Sequence, residues 1–180
     1  MSVKLGREAW ISLLEKVAEA LPAAGAPVRL CLVGSAACLL EAMPGRASRD
    51  LDVWQPASDF DRMELKRAVE ASGLLFDPRE TLEPDRPYVQ IITPGPSQVG
   101  DFTPVLWARM GRLHVYLPPW PNLIASKLAR GDERDVEDIL FLAGKYSVTL
   151  NAVKACAETM PEPARQQVLE NLIYLQILNS

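Results

Sequence analysis

Asp50 and Asp52 stand two residues apart in the run Asp50-Leu51-Asp52-Val53, and Gly34-Ser35 precede them across fourteen intervening residues. In an extended strand, residues i and i+2 project to one face, with Cα atoms roughly 6.6 Å apart. Two carboxylates so placed repel each other, which a cation relieves, and their oxygen donors suit magnesium or manganese. They can share one hard cation or flank two, which in two-metal transfer chemistry lie about 3.5–4 Å apart. Gly34 permits a tight turn and the close approach of a ligand. Ser35 offers a hydroxyl where the first N–H groups of a helix are unpaired, a place for a phosphate. Each motif alone has a plain structural explanation, since Gly-Ser often opens a helix and Asp-x-Asp often ends an exposed strand. Their order and spacing together point to an anion-binding helix start beside a divalent-metal site.

Those residues need elements to hold them. Residues 28–33 read as a short buried strand leading into Gly34, and a helix then runs to about Met43, stopped by Pro44-Gly45. Leu51, Val53 and Trp54 mark the next strand, with Asp50 and Asp52 on the opposite face. Upstream, Trp10, Leu13, Leu14, Val17 and Leu21 recur at helical spacing over 7–21. Ser58 is the expected N-cap of a helix reaching about Ala71, with Gly73 as its C-terminal signal. Strands are expected at 74–76 and 88–93, with weaker candidates at 99–103 and 113–117 and a loop over 77–87.

After Pro118-Pro119 the pattern turns helical, over 120–129, 133–143, 149–159 and 162–178. In the last of these, Val168, Leu172 and Leu175 with Ile173 and Ile177 supply apolar stripes. The predicted class is α/β (α+β), a mixed β-sheet flanked by helices. Residues 1–143 form the main domain, and 144–180 form a helical C-terminal extension packed on it.

A net charge of −4 argues against a general nucleic-acid binder, which would need a local basic patch. Arg62, Lys66 and Arg67 share a helix but alternate with Asp59, Asp61, Glu64 and Glu70, which reads as a solvated face. Cys31, Cys38 and Cys156 read as buried thiols of a reducing compartment. His114, the one histidine, reads as a half-exposed strand residue. Trp107 and Trp120 are candidates for stacking on a base, against a core or interface role. The chain shows no membrane-spanning run and no signal-peptide pattern, so no membrane partner and a cytoplasmic location are expected.

The combination of Gly34-Ser35 with Asp50-Leu51-Asp52-Val53 resembles the glycine-serine and paired-aspartate signature of the nucleotidyltransferase (polymerase-beta-like) superfamily. More narrowly, the chain is similar to small bacterial members related to toxins of toxin–antitoxin and abortive-infection systems. Their later Lys-Leu followed by D-x-x-D has its counterpart in Lys127-Leu128 and Asp135-Val136-Glu137-Asp138. The resemblance spans residues 28–143 and implies a nucleotidyltransferase-like sheet. It also implies transfer of a nucleotidyl group from an NTP to RNA, including a tRNA acceptor end, or to a protein hydroxyl. A cognate antitoxin or toxin is an implied partner.

On that resemblance Asp50 and Asp52 bind Mg2+ (or Mn2+), and Gly34 and Ser35 hold nucleotide phosphates. Arg46, Arg49 and Lys127 neutralise phosphate charge, against the plainer roles of soluble loop and helix surface. Asp135 and Asp138, i and i+3 on one helix face, are placed to orient Lys127 or to line the cleft, against the plainer role of an acidic first turn on a surface helix. Active members usually carry a third carboxylate on a later strand of the same sheet, commonly as the general base. Here the best such strand carries the neutral Gln90, which leaves Asp101 as the next candidate, a third metal ligand if its strand lies beside that of Asp50 and Asp52. The alternative function is a catalytically degenerate protein of this fold that serves as a binding or antitoxin-like partner.

Overall fold

A computed structural model of the chain describes residues 3–79 and 85–176. The fold is mixed α+β, with a six-stranded sheet flanked by helices and a C-terminal helical extension. The chain forms two compact units, one of Met1–Ile92 with Pro104–Leu117 and the other of Thr93–Thr103 with Pro118–Ser180.

The first unit holds the sheet. Its elements are α1 (Arg7–Ala20), β1 (Val28–Val33), α2 (Gly34–Leu40), β2 (Asp50–Trp54), α3 (Arg62–Ala71), β3 (Leu75–Phe76), β4 (Tyr88–Ile92), β5 (Val105–Met110) and β6 (Leu113–Leu117). The strand order is β3-β4-β2-β1-β6-β5. β1 runs antiparallel to β2 and parallel to β6, while β2 runs parallel to β4. Leu30, Cys31 and Leu32 of β1 are buried whichever face they occupy, as a central strand of a covered sheet requires. β2 alternates as its sequence predicts: Leu51 and Val53 are buried, and Asp50 and Asp52 lie half-buried on the other face. Trp10, Leu14 and Val17 bury the inner stripe of α1.

Several expectations change. The helix that begins at Gly34 stops at Leu40, short of Met43, where Ala42 takes a positive φ of 63°. Ser58 does not cap α3, which starts at Arg62 with Asp61 accepting from the Glu64 N–H at 2.7 Å. The Ser58 hydroxyl instead accepts from the Cys31 N–H at 2.9 Å and donates to the Trp54 carbonyl at 2.7 Å. The weak strand at 99–103 does not form. The unforeseen β5 follows it, joined to β6 through Gly111 (φ 56°) and Arg112 and paired to it from Met110↔Leu113 onward.

The second unit is helical, with α4 (Trp120–Arg130), α5 (Glu133–Tyr146), α6 (Leu150–Glu158), α7 (Ala164–Asn171) and α8 (Ile173–Gln176). α4 packs against α5, α6 and α7, and α5 against α8. By contacts these helices group with Thr93–Thr103, and the boundary that the sequence suggests at 143 falls within α5. Gly131 closes α4 in the left-handed region (φ 66°), and Asp132 caps α5 by accepting from the Arg134 N–H at 3.0 Å. The single helix expected over 162–178 is two, separated at Leu172. Val168, Leu172 and Leu175 are buried and Ile173 is exposed. Ile177, and residues 80–84 of the expected loop, lie outside the described residues. No described helix is long and apolar enough to cross a membrane.

Candidate functional site

The two motifs of the first unit meet through a single short approach. Gly34 adopts φ +68°, a conformation that side-chain-bearing residues rarely take, and a Cβ placed on it would lie 2.7 Å from Oδ2 of Asp52. The register explains this contact. Val33, the last residue of β1, pairs with Asp52 of β2, so α2 begins against the aspartate. Glycine at position 34 is what lets the main chain lie against the carboxylate. One residue on, the Ser35 hydroxyl accepts a 2.6 Å hydrogen bond from Nη2 of Arg46, which lies in the loop between α2 and β2. Ser35, Arg46, Asp50 and Asp52 are all half-buried, reachable yet partly shielded from water.

The neighbouring strand completes this face. Asp50 pairs with Tyr88 and Asp52 with Gln90 in the parallel β2–β4 ladder, so these four side chains share one side of the sheet. The Tyr88 hydroxyl donates to Oδ2 of Asp50 at 3.1 Å. On the other oxygen, Ser48 Oγ donates to Oδ1 of Asp50 at 2.9 Å, its single proton shared with the Asp50 carbonyl at 2.8 Å. Burial, then the charge and hydrogen bonding of Asp50, then the charge of Asp52, push the Tyr88 phenol up to about 12. The positive charge of Arg49 pulls the other way. Tyr88 therefore stays protonated across the physiological range and acts as a hydrogen-bond donor to Asp50.

The donor set suits a hard divalent cation. Each Asp50 oxygen carries two lone-pair sites, and the hydroxyl bonds take one from each, leaving one on each for a metal. Among the described residues no group of three or more His, Cys, Asp or Glu side chains is placed to hold a metal ion. A cation at Asp50 and Asp52 would draw its other ligands from water and a bound phosphate, the usual habit of magnesium.

The remaining candidates lie in the second unit. Asp101 is on no strand, because residues 99–103 form none, and the neighbours of β2 are β1 and β4. The strand expected to carry Asp101 beside β2 is thus corrected. Asp101 is exposed, with its N–H donating to Thr159 Oγ1 at 2.8 Å and its carbonyl accepting from Asn122 Nδ2 at 3.2 Å.

Lys127 is only 3% exposed, which replaces the helix-surface reading with a buried one. Its ammonium donates to Asp138 at 2.6 Å and to Asp135 at 3.2 Å, and Arg130 also binds Asp135. Asp135 and Asp138 do orient Lys127, across the α4–α5 contact, and they are not a solvated first turn. Burial pushes the Asp135 carboxyl up, but the Arg130 hydrogen bonds and the Lys127 charge outweigh it and hold it below the ordinary value.

Other residues fall as their surroundings dictate. Cys31 and Cys38 are fully buried, with burial raising the Cys31 thiol to about 12, while Cys156 is only partly covered. His114 is half-exposed on β6 and Trp107 half-exposed on β5. Trp120 stacks on Tyr146, with centroids 4.2 Å apart. Arg62 is exposed, as the solvated-face reading expects, and also binds Asp77 and lies over the Phe76 ring.

Sequence reasoning missed Ser48 and Tyr88. Ser48 sits two residues before Asp50, the reach of a serine hydroxyl to a nearby carboxylate, which was a readable signal. Tyr88 depends on the β2–β4 register, which no local pattern carries. In comparisons with known proteins, no family model, no curated protein and no solved structure matches the chain.

Proposed function

We propose that the chain is a metal-dependent nucleotidyltransferase that uses an NTP held with Mg2+ or Mn2+ at Asp50 and Asp52. The observation that carries this reading is the approach of Gly34 to Asp52, which brings the start of α2 against a paired-carboxylate strand. On this reading the Arg46 guanidinium and the Ser35 hydroxyl grip phosphate oxygens, exchanging their mutual 2.6 Å bond for bonds to the ligand. Asp50 and Asp52 would hold the cation, which would supply neutralisation of the triphosphate charge. Arg49, whose charge is felt at Tyr88, adds positive potential beside the triphosphate. The acceptor is an RNA, including a tRNA acceptor end, or a protein hydroxyl, and the cellular role is that of a toxin with a cognate antitoxin. The motif resemblance is the support for acceptor and role.

A second reading has its own observation. Gln90, in register with Asp52, is a neutral amide that takes no proton from an acceptor hydroxyl. A degenerate member of this fold, binding a nucleotide or a protein partner without transfer, is the reading that Gln90 favours. One experiment separates the two. The chain is incubated with magnesium, each α-labelled NTP and total RNA, alongside D50N/D52N. Transfer of label that the double substitution abolishes supports the transferase. Metal-dependent NTP binding without transfer supports the degenerate reading, and the absence of both refutes the nucleotide site.

A further inference from the structure

The hydroxyl bonds to Asp50 extend into a rigid chain of contacts. Ser48 is 6% exposed, and its carbonyl accepts from Nε1 of Trp10, a residue with no exposure at all, at 3.1 Å. Its main chain is paired in both directions with Leu5, at 2.8 and 3.0 Å. The main chain that carries the serine hydroxyl meeting Oδ1 of Asp50 is thus anchored to the α1 core, while the hydroxyl itself bonds only to Asp50. Tyr88 is fixed independently, by its register with Asp50 and by its N–H bond to the Arg49 carbonyl at 3.2 Å. Two donors on separate elements therefore grip the two oxygens of one carboxylate. Asp50 has a single orientation in which both bonds are made.

We infer that Ser48 and Tyr88 are positioning residues that preset the Asp50 carboxylate for a divalent cation, so that the ion binds without the cost of ordering its ligand. The inference rests on the reading of Asp50 and Asp52 as a cation site. Hydrogen-bond partners of metal ligands typically change metal affinity by about 10–100-fold when removed, because they fix the ligand's orientation and basicity. Ser48 and Tyr88 contribute no charge, so their effect differs in kind from that of Asp50 itself.

The test uses the full chain with Mn2+ as the probe, free ion being followed by its paramagnetic resonance signal. Wild type, Tyr88→Phe, Ser48→Ala, the double variant and Asp50→Asn are compared, and metal-free thermal unfolding is recorded for each. Tyr88→Phe is the informative variant, because it keeps the ring and loses only the hydroxyl. Where Ser48→Ala lowers metal-free stability, Tyr88→Phe still reads the clamp. The expected result is Mn2+ affinity at least about tenfold weaker in Tyr88→Phe and weaker again in the double variant. A purely structural role would shift the unfolding midpoint and leave the Mn2+ affinity of the folded chain unchanged. Affinity in Tyr88→Phe equal to or above wild type, with Asp50→Asn abolishing binding, overturns the clamp and leaves the cation site standing. Absence of Mn2+ binding in wild type overturns both.

Discussion

Replacing Lys127 with methionine removes the ammonium that Asp138 meets at 2.6 Å and Asp135 at 3.2 Å, in a setting where Lys127 is 3% and Asp138 0% exposed. Unit charges about 4 Å apart attract by about 4 kcal/mol at an effective dielectric near 20, and breaking a buried pair from one side costs about 3–5 kcal/mol. Arg130 stays on Asp135, so the loss falls mainly on Asp138 and belongs at the lower end, about 3 kcal/mol. For a chain of this size that lowers the unfolding midpoint by about 6–12 °C. Urea and thermal unfolding of K127M measure it directly. Pairing the change with D138L should recover most of the loss, since a buried ion pair replaced by apolar groups is often neutral. If K127M unfolds like wild type while its nucleotide affinity collapses, the structural account of Lys127 is wrong and the lysine is a phosphate ligand after all.

G34A forces φ +68° on alanine and sets a methyl 2.7 Å from Asp52 Oδ2. It should cost about 1–2 kcal/mol in stability and abolish Mn2+ binding, read by thermal unfolding and by the manganese signal. Q90D places a third carboxylate in register with Asp52. It should weaken the metal-free chain by repulsion and raise the stabilisation that Mn2+ confers, as calorimetric unfolding with and without the ion would register. Acid should also destabilise the chain in a defined direction. Burial pushes Asp77 and Asp135 up, but Arg62 and the Ile91 N–H on the first, and Arg130 and Lys127 on the second, hold both below the ordinary value of 3.8. A carboxyl lowered on folding stabilises fully above its unfolded value, and that contribution is lost as pH falls from about 5 through 3.8 and below. Urea midpoints across this window should drop, and D135N should show a shallower slope.

The half of the site that sits within one local stretch could be read directly. β1, the turn at Gly34 and the outward alternation of Asp50 and Asp52 follow from apolar runs and period-two spacing, and they stand where the sequence places them. What escaped was decided by pairing. Ser58 resembles a cap from its neighbours alone, yet the Cys31 N–H needs an acceptor, and Asp61 three residues before Glu64 serves the helix better. Val105–Met110 buries no residue fully and shifts its pairing between Leu106 and Ala108, so its strand character depends on β6. The depth of Asp135 and Asp138 was hidden for a related reason. Acidic residues beside a helix start read as solvent-facing until a buried lysine on the preceding helix claims them.

The sheet order has a consequence for how the chain is made and cut. β1 pairs with β2 within the first 54 residues, but its other neighbour is β6, which ends only at Leu117 after the chain has passed through Thr93–Thr103 of the second unit. Until β6 emerges, one side of this apolar strand has open hydrogen-bonding groups, the kind of edge that recruits other chains. A fragment ending at Ile92 would keep all of Gly34, Ser35, Asp50, Asp52, Tyr88 and Gln90 and still leave that edge bare. The 34–52 stretch and the strand that seals it are thus separated along the chain, and no single cut yields that stretch on the complete sheet without carrying residues of the helical unit with it.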